Sequence, residues 1–165
     1  MNYAQINKFD IANGSGVRVS LFVQGCPIHC PGCFNQETWD FNGGKPFTED
    51  TINEILLFMN DNIAGLSILG GEPLADQNVI DVAWLTTAFK QRFPDKTVWL
   101  WTGYAWDKVK SYPVMLNIDV CVAGPFDISK RDLSLKWCGS SNQQVIDVHA
   151  SLICNKPILY TGVVI

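Results

Sequence analysis

The chain has 165 residues, of which 47% are hydrophobic and 17% charged, and its formal net charge is −4 with a pI near 5.0. This composition predicts one globular domain over residues 1–165 and argues against a nucleic-acid-binding protein, which needs a basic surface. The first ten residues lack the pattern of a signal peptide, and no stretch has the length of a membrane span. We therefore expect a cytoplasmic protein that binds neither nucleic acid nor membrane.

Apolar periodicity predicts strands that alternate with helices. Residues 17–23 alternate with period two, which predicts a strand with one firmly buried face. A helix is expected at about residues 51–60, where Thr51 and Glu54 fit a capping box and apolar residues recur at helical spacing. The other predicted elements are a strand at 65–69, a helix at 78–92, a strand at 97–102, a short helix at 106–110, and strands at 117–122 and 144–148.

This alternation predicts an α/β fold with a mostly parallel sheet. The strand at residues 97–102 is apolar on both faces, as in parallel sheets that helices cover. In such folds, ligands bind where the strands end. The segments that follow predicted strands include the loop at residues 25–34, Gly70-Gly71-Glu72-Pro73 and Thr102-Gly103. Their common position predicts a functional site at that edge of the sheet.

Cys26, Cys30 and Cys33 form a C-x3-C-x2-C pattern in the loop after the first predicted strand. Clustered cysteines in a cytosolic protein are more often metal ligands or catalytic residues than disulfides. Thiolates suit zinc and iron–sulfur clusters, and the nearest further donor, His29, adjoins Cys30 and is poorly placed for closing a zinc tetrahedron. The pattern therefore favours a [4Fe–4S] cluster with one open iron over a structural zinc, and either over three unrelated core cysteines.

The stretch Gly70-Gly71-Glu72-Pro73 follows a predicted strand. Alone, it is typical of a strand-ending turn, in which glycines supply a positive φ and proline begins the next segment. Its glycines also allow the backbone to approach a ligand closely. The cysteine loop beside it favours the second interpretation.

The cysteine triplet followed by Gly70-Gly71-Glu72-Pro73 resembles the radical S-adenosylmethionine (SAM) superfamily. Within it, the chain is similar almost end to end to the activating-protein family of anaerobic (class III) ribonucleotide reductase. Cys138 departs from that family's pattern, which commonly has an arginine there. The stretches that carry the narrower resemblance are Met1-Asn2-Tyr3, Asn13-Gly14-Ser15-Gly16-x-Arg18, Leu21-Phe22-Val23-x-Gly25-Cys26, Cys30-Pro31-Gly32-Cys33-Phe34-Asn35, Val98-Trp99-Leu100-Trp101-Thr102-Gly103-Tyr104, Asp119-Val120-x-Val122-x-Gly124-x-Phe126 and Gly139-Ser140-Ser141-Asn142-Gln143.

The resemblance implies a partial (β/α) barrel of the radical SAM type, incomplete and open on one side. It also implies SAM bound to the fourth iron of a [4Fe–4S] cluster, and no catalytic residue beyond these two cofactors. The implied cluster ligands are Cys26, Cys30 and Cys33. The residues implied to receive the methionyl amino group of SAM are Gly70, Gly71 and Glu72, and those implied to line its adenosyl side are Gly32, Cys33 and Phe34.

The implied activity is that of an oxidoreductase for deoxyribonucleotide synthesis. Reductive cleavage of SAM gives a 5′-deoxyadenosyl radical, which takes a hydrogen from a glycine of anaerobic ribonucleotide reductase and leaves a glycyl radical. The implied partners are the glycyl-radical subunit of that reductase and a low-potential electron donor such as flavodoxin. Residues 126–143 form a long irregular connection, and we expect this segment to help dock the reductase.

Three alternatives remain open from the sequence. The chain could activate another glycyl-radical enzyme, of the pyruvate formate-lyase type. It could be a small radical SAM enzyme that acts on a purine-like substrate. It could also be a non-enzymatic binding module that a zinc ion stabilises through the three cysteines and His29.

Overall fold

In residues 1–162, which the computed structural model describes, seven strands form one sheet. Their order across the sheet is β3-β1-β2-β4-β5-β6-β7. The four central strands β2, β4, β5 and β6 run parallel, whereas β1, β3 and β7 pair antiparallel at the sides. The strands are β1 (Asn2–Asp10), β2 (Arg18–Val23), β3 (Lys45–Pro46), β4 (Gly65–Gly70), β5 (Thr97–Thr102), β6 (Val120–Ala123) and β7 (Gln144–Asp147).

Helices cover one face of this open, mixed sheet. In the core, Ile55, Leu85 and Phe89 pack in one cluster with strand residues such as Leu21 and Ile68. No helix among residues 1–162 has the length and apolar character needed to cross a membrane. The helices are α1 (Glu49–Leu57), α2 (Val79–Arg92), α3 (Trp106–Val109) and α4 (Val148–Cys154), and 3-10 turns lie at Gln36–Thr38, Pro113–Asn117 and Ile128–Lys130.

The predicted α/β class is confirmed, and the strongest periodic segments lie where the sequence placed them. They are β2, β4, β5 and α2. The predicted capping box at Thr51 and Glu54 is wrong, because Thr48 precedes the first turn of α1 and its backbone N–H donates to Thr51 Oγ1 at 3.2 Å. The strand predicted at 117–122 begins later, at Val120, because Pro113–Asn117 forms a 3-10 turn before it. Residues 163–165 of the predicted domain lie outside the described residues.

A buried arginine joins the amino ends of the parallel strands on the sheet face opposite the helices. Arg18, in β2, is fully buried, and its Nε donates to Ser67 Oγ at 2.7 Å. Its Nη2 donates to the carbonyls of Leu66 and Thr97, both at 2.8 Å, and its Nη1 donates to Ser15 O and Thr97 Oγ1. Because every N–H of the guanidinium has an acceptor, the buried charge links β2, β4 and β5.

An aromatic cluster covers this arginine. The Trp99 ring lies 5.5 Å from the Arg18 guanidinium carbon. Around Trp99 are Trp137, Tyr160 and Trp101, with ring centroids at 4.8, 5.1 and 5.8 Å. Because Trp101 lies near the carboxyl end of β5, the cluster adjoins the cavities described below.

Replacing Arg18 with lysine should lower the free energy of unfolding by about 2–4 kcal/mol, because an ammonium cannot reach both strand carbonyls and leaves buried acceptors unpaired. Urea denaturation followed by circular dichroism measures the loss. Arg92→Lys, at the exposed end of α2, is the matched control and should change stability by less than about 0.5 kcal/mol. Equal unfolding midpoints for Arg18→Lys and the unchanged protein would contradict this role for Arg18.

Candidate functional site

A cavity of about 130 Å³, which we name the cysteine cavity, opens at the carboxyl ends of the parallel strands. Its walls come from the loop after β2, the turns after β4, β5 and β6, and Phe126. The structure thus brings together six residues that the sequence singled out, and Thr102 and Gly103 lie beside them. Those six residues are Cys26, Cys30, Cys33, Gly70, Gly71 and Glu72.

Backbone N–H groups lie near the sulfurs of all three cysteines. Burial raises the pKa of Cys26 and Cys30, whereas nearby backbone N–H groups, that of Phe126 at Cys30 among them, oppose this rise. The backbone N–H of Asn35 donates to the Cys33 sulfur at 3.4 Å. Donors directed at sulfur stabilise the thiolate, which is the form that binds metal.

The arrangement of these cysteines fits a cluster better than a single ion. Within the described part of the chain, no three His, Cys, Asp or Glu side chains are grouped so that they could hold one metal ion. A zinc ion needs all its thiolate sulfurs at about 2.3 Å from one point, whereas the thiolates of a [4Fe–4S] cluster bind different irons. His29 is exposed and stacks on Trp39, with ring centroids 4.4 Å apart. The three cysteines on one cavity wall therefore fit the predicted cluster.

Glu72 is a fully buried carboxylate that joins the ends of two strands. Its Oε1 accepts hydrogen bonds from Leu74 N at 2.9 Å and Thr102 Oγ1 at 2.8 Å, and its Oε2 accepts one from Gly103 N at 2.7 Å. Burial raises the pKa of Glu72, and these three donors oppose the rise. The side chain therefore fixes the turn after β4 against the end of β5.

Asn78, which the sequence analysis missed, fixes the third strand end. Its Nδ2 donates to the carbonyls of Gln24, Gly25 and Glu72 at 3.0, 3.3 and 2.9 Å. The backbone N–H of Glu72 also donates to Gly25 O at 2.8 Å. At Gly71 a Cβ atom would lie 2.4 Å from Gly25 O, so only glycine fits this contact. No local sequence pattern identifies Asn78, because its three acceptors lie on two separate loops.

Two of the predicted adenosyl-side residues lie outside the cysteine cavity. Phe34 is 54% exposed and packs against Phe126, with ring centroids 5.2 Å apart. Gly32 has φ +72° and lies against Ile128, whose Cδ1 would be 2.5 Å from a Cβ at this position. Of the three, Cys33 therefore lines the cysteine cavity itself.

A second cavity of about 470 Å³, which we name the side cavity, adjoins the first. Cys33 and Trp101 line both cavities, and the side cavity is also lined by Phe34, Leu133 and Cys138. Leu133 is 76% exposed. The side cavity thus connects the cysteine site with an apolar rim on the surface.

The Gln143 side chain helps to hold the base of the 126–143 segment. Gln143 Oε1 accepts hydrogen bonds from the backbone N–H groups of Gly139 and Ser140 at 2.9 and 3.2 Å. Its Nε2 donates to Gly124 O at 3.0 Å. This amide fixes both ends of the segment next to the cysteine cavity.

Comparisons with known proteins agree with this site. Residues 12–146 match the family model described as a 4Fe-4S single cluster domain. The anaerobic ribonucleoside-triphosphate reductase-activating protein of Escherichia coli K12 is 43% identical over 150 residues, covering 88% of this chain and 97% of that protein. Proteins of the same name from Enterobacteria phage T4 and Haemophilus influenzae are 39% identical over 146 residues (88% and 93% covered) and 40% identical over 148 residues (87% and 96% covered).

The cysteine site and the matched domain define a protein that binds one [4Fe–4S] cluster. The similarity to the activating proteins covers most of the chain and identifies a narrower family within this class. The chain belongs to the family of anaerobic ribonucleoside-triphosphate reductase-activating proteins. The predicted membership of this family and the predicted cluster are thus confirmed.

The variant Glu72→Gln removes a titrating group and keeps its size. Because the pKa of Glu72 is raised above 4.5 in the folded state, its contribution to stability is fully present below pH 4.5 and is lost as the pH rises through the raised value. The unchanged protein should therefore lose stability relative to Glu72→Gln over a range of pH that begins near 4.5, the value in the unfolded chain. Urea unfolding of both proteins across this range measures the difference, and a difference independent of pH would contradict the raised pKa.

Proposed function

We propose that this chain is a radical SAM activase, an oxidoreductase that installs the glycyl radical of anaerobic ribonucleotide reductase. The observation that carries this proposal is the cysteine cavity, in which three cysteines lie beside Gly70-Gly71-Glu72 at the carboxyl edge of the sheet. The names of the relatives support the reductase as partner. When bound, the cluster and SAM supply the one-electron cleavage that yields a 5′-deoxyadenosyl radical, which takes a hydrogen from a glycine Cα.

Cys26, Cys30 and Cys33 are the proposed cluster ligands, with the fourth iron left to SAM. Their common cavity and the N–H groups near their sulfurs support this assignment. The two other cysteines outside the core, Cys138 and Cys154, do not line the cysteine cavity. The chain's own role is to hold the three sulfurs and to keep the site covered.

Gly70, Gly71 and Glu72 are the proposed partners of the methionyl amino group. The Glu72 carboxylate already accepts three hydrogen bonds, so we assign the direct contacts to the glycine carbonyls and to Glu72 the negative charge behind them. Gly32, Cys33 and Phe34 are the proposed adenosyl side. The assignment of Phe34 is supported by its position on the wall of the side cavity. The assignment of Gly32 is supported by its contact with Ile128, which restrains its backbone.

We also propose that residues 1–165 form a single radical SAM domain whose sheet is the wall of a partial (β/α) barrel. The helices lie on one face of the sheet, whereas Arg18, the aromatic cluster and both cavities lie on the other, as on the inside of a barrel. In the described residues, β3 and β7 end the strand order and do not pair with each other. The open side leaves room for a protein substrate.

The segment of residues 126–143 is the proposed docking element for the reductase. Its apolar rim residues Ile128 and Leu133 are exposed, and Arg131 lies over the exposed Phe34 ring at 5.1 Å. The side cavity beneath this rim leads to the cysteine cavity, so a glycine-bearing segment that enters it reaches the radical source. An electron donor such as flavodoxin and a cytoplasmic location stay predictions.

The other candidate functions have less support. A zinc-stabilised module needs a donor set around one ion, which the described residues do not form. The relatives cited above are named as activating proteins of anaerobic ribonucleoside-triphosphate reductase. Their names favour that reductase as the partner over pyruvate formate-lyase or a purine-like substrate.

Substituting any one of Cys26, Cys30 and Cys33 with serine should abolish the cluster, because one iron loses its thiolate. Iron and sulfide content after anaerobic reconstitution, with the EPR signal of the reduced protein, measures this loss. The control variants Cys138→Ala and Cys154→Ala should keep a full cluster. Loss of the cluster in a control variant, or its retention in all three serine variants, would contradict the ligand assignment.

With a full cluster, reductant, SAM and the reductase, the protein should produce a glycyl-radical EPR signal on the reductase together with methionine and 5′-deoxyadenosine. SAM cleavage without that signal would mean that the site works on another substrate. A protein that binds no iron under any reconstitution condition would contradict the function as a whole.

Leu133→Asp should reduce glycyl-radical formation about tenfold while SAM cleavage without reductase is unchanged, because a charged group replaces an apolar contact at the docking rim. The radical yield per chain and the rate of methionine release measure the two activities. Leu57→Asp, an equally exposed leucine in α1, is the control and should leave both unchanged. Equal loss of both activities in Leu133→Asp would show that the segment does not act in docking.

A further inference from the structure

Trp101 joins strand β5 to the 126–143 segment through one hydrogen bond. Its indole N–H donates to the carbonyl oxygen of Trp137 at 2.8 Å, across 36 residues of sequence. The indole nitrogen is a donor and no acceptor, so this bond satisfies the only polar group of the side chain. The segment is therefore attached to the sheet at Trp137 as well as at its base, where Gln143 binds.

The Trp101 ring lies on the sheet face that carries both cavities. Leu100 packs in the core cluster beneath the helices, so the side chains next to it in β5 point to the opposite face. There the rings of Trp99 and Trp101 stack, with centroids 5.8 Å apart and planes 29° from parallel. Trp101 lines the cysteine cavity and also the side cavity. The bond to Trp137 thus begins at a wall that the two cavities share.

The backbone that accepts this bond is held in an uncommon conformation. Trp137 has φ +65°, which residues other than glycine rarely adopt. Such a conformation costs free energy and persists where surrounding contacts hold it. The Trp137 ring packs edge-on against Trp99, with centroids 4.8 Å apart, and lies 5.9 Å from the ring of Tyr160. These ring contacts and the hydrogen bond from Trp101 together hold this part of the segment against β5.

The same part of the segment carries the proposed docking rim. Leu133, which precedes Trp137 in the segment, is 76% exposed and lines the side cavity, as Trp137 does. A reductase that contacts Leu133 therefore lies next to the backbone that Trp101 holds. The docking rim and the wall of the cysteine cavity are thus connected through the Trp101 indole ring.

We propose that Trp101 is a positioning residue whose bond to Trp137 sets the distance between the docked reductase and the cysteine cavity. The inference rests on the proposed function, since it needs both SAM cleavage and docking on the 126–143 segment. In that reaction the glycine Cα–H bond breaks and its hydrogen atom joins the 5′ carbon, which leaves the glycyl radical and 5′-deoxyadenosine. Reacting atoms must come within about 3–3.5 Å for such a step, and a displacement of about 1 Å can cost about a hundredfold in rate.

Loss of this bond should separate SAM cleavage from hydrogen transfer. A 5′-deoxyadenosyl radical that does not reach the glycine takes a hydrogen atom from another C–H or S–H bond, of the protein or of a thiol reductant, and still gives 5′-deoxyadenosine. The number of 5′-deoxyadenosine molecules released per glycyl radical therefore reports the position of the substrate. A purely structural role of Trp101 would lower both products together and leave this ratio unchanged.

The test replaces Trp101 site-specifically by 3-benzothienylalanine, which keeps the shape of the ring system and has sulfur in place of the N–H. With reductase, reductant and SAM, the ratio of 5′-deoxyadenosine to glycyl radical, measured by chromatography and EPR, should rise about tenfold. The matched control is 7-azatryptophan at the same position, which keeps the N–H and should give the ratio of the unchanged protein. Trp101→Phe and Trp84→Phe form a second pair with the same expected contrast, because Trp84 is 46% exposed on α2.

Hydrogen exchange followed by mass spectrometry gives a readout that needs neither cluster nor SAM. Backbone amides of residues 133–138 should exchange faster in the benzothienylalanine protein than in the azatryptophan protein, because the segment is held less firmly. An unchanged product ratio in the benzothienylalanine protein overturns the proposal. Where that protein holds no cluster, faster exchange supports the proposal and equal exchange overturns it. An unchanged protein that cleaves SAM and produces no glycyl radical contradicts the proposed function instead.

Discussion

The site depends on a small set of hydrogen bonds that lock three strand ends together. Glu72, fully buried, accepts from the turn after β4 and from the end of β5. Asn78 and the Glu72 backbone bind the carbonyl of Gly25, at the end of β2. Cys26 is the next residue, so the first cysteine starts from a fixed point. These bonds lie in the protein interior, where water does not compete for the same groups.

The amino ends of the parallel strands contribute to stability, whereas their carboxyl ends form the functional site. At the amino ends, Arg18 and the aromatic cluster close the sheet face and contribute to stability. At the carboxyl ends, the glycine turns and the cysteine loop leave a cavity. This division is the one expected of sheets with parallel strands, in which the loops after the strands carry function.

Much of this could be predicted from the sequence, where local patterns are strong. The period of two in β2 and the apolar run of β5 predicted two central strands of the sheet, and the cysteine spacing predicted the [4Fe–4S] cluster. The strand β1, which lies next to the short edge strand β3, was missed because its residues are mostly half-exposed and do not alternate clearly. Asn78 was missed for another reason. Two of its acceptors, the carbonyls of Gln24 and Gly25, lie 54 and 53 residues away in sequence, so its role exists only once the chain has folded.

The Gln143 amide, which holds both ends of the 126–143 segment, has a consequence for how such proteins diverge. This amide, with Ser140 and Asn142, fixes the base of the segment, so residues at its tip can change without moving the cysteine cavity. If the segment docks the reductase, as proposed, its tip can vary with the partner protein while the cysteine cavity keeps its shape.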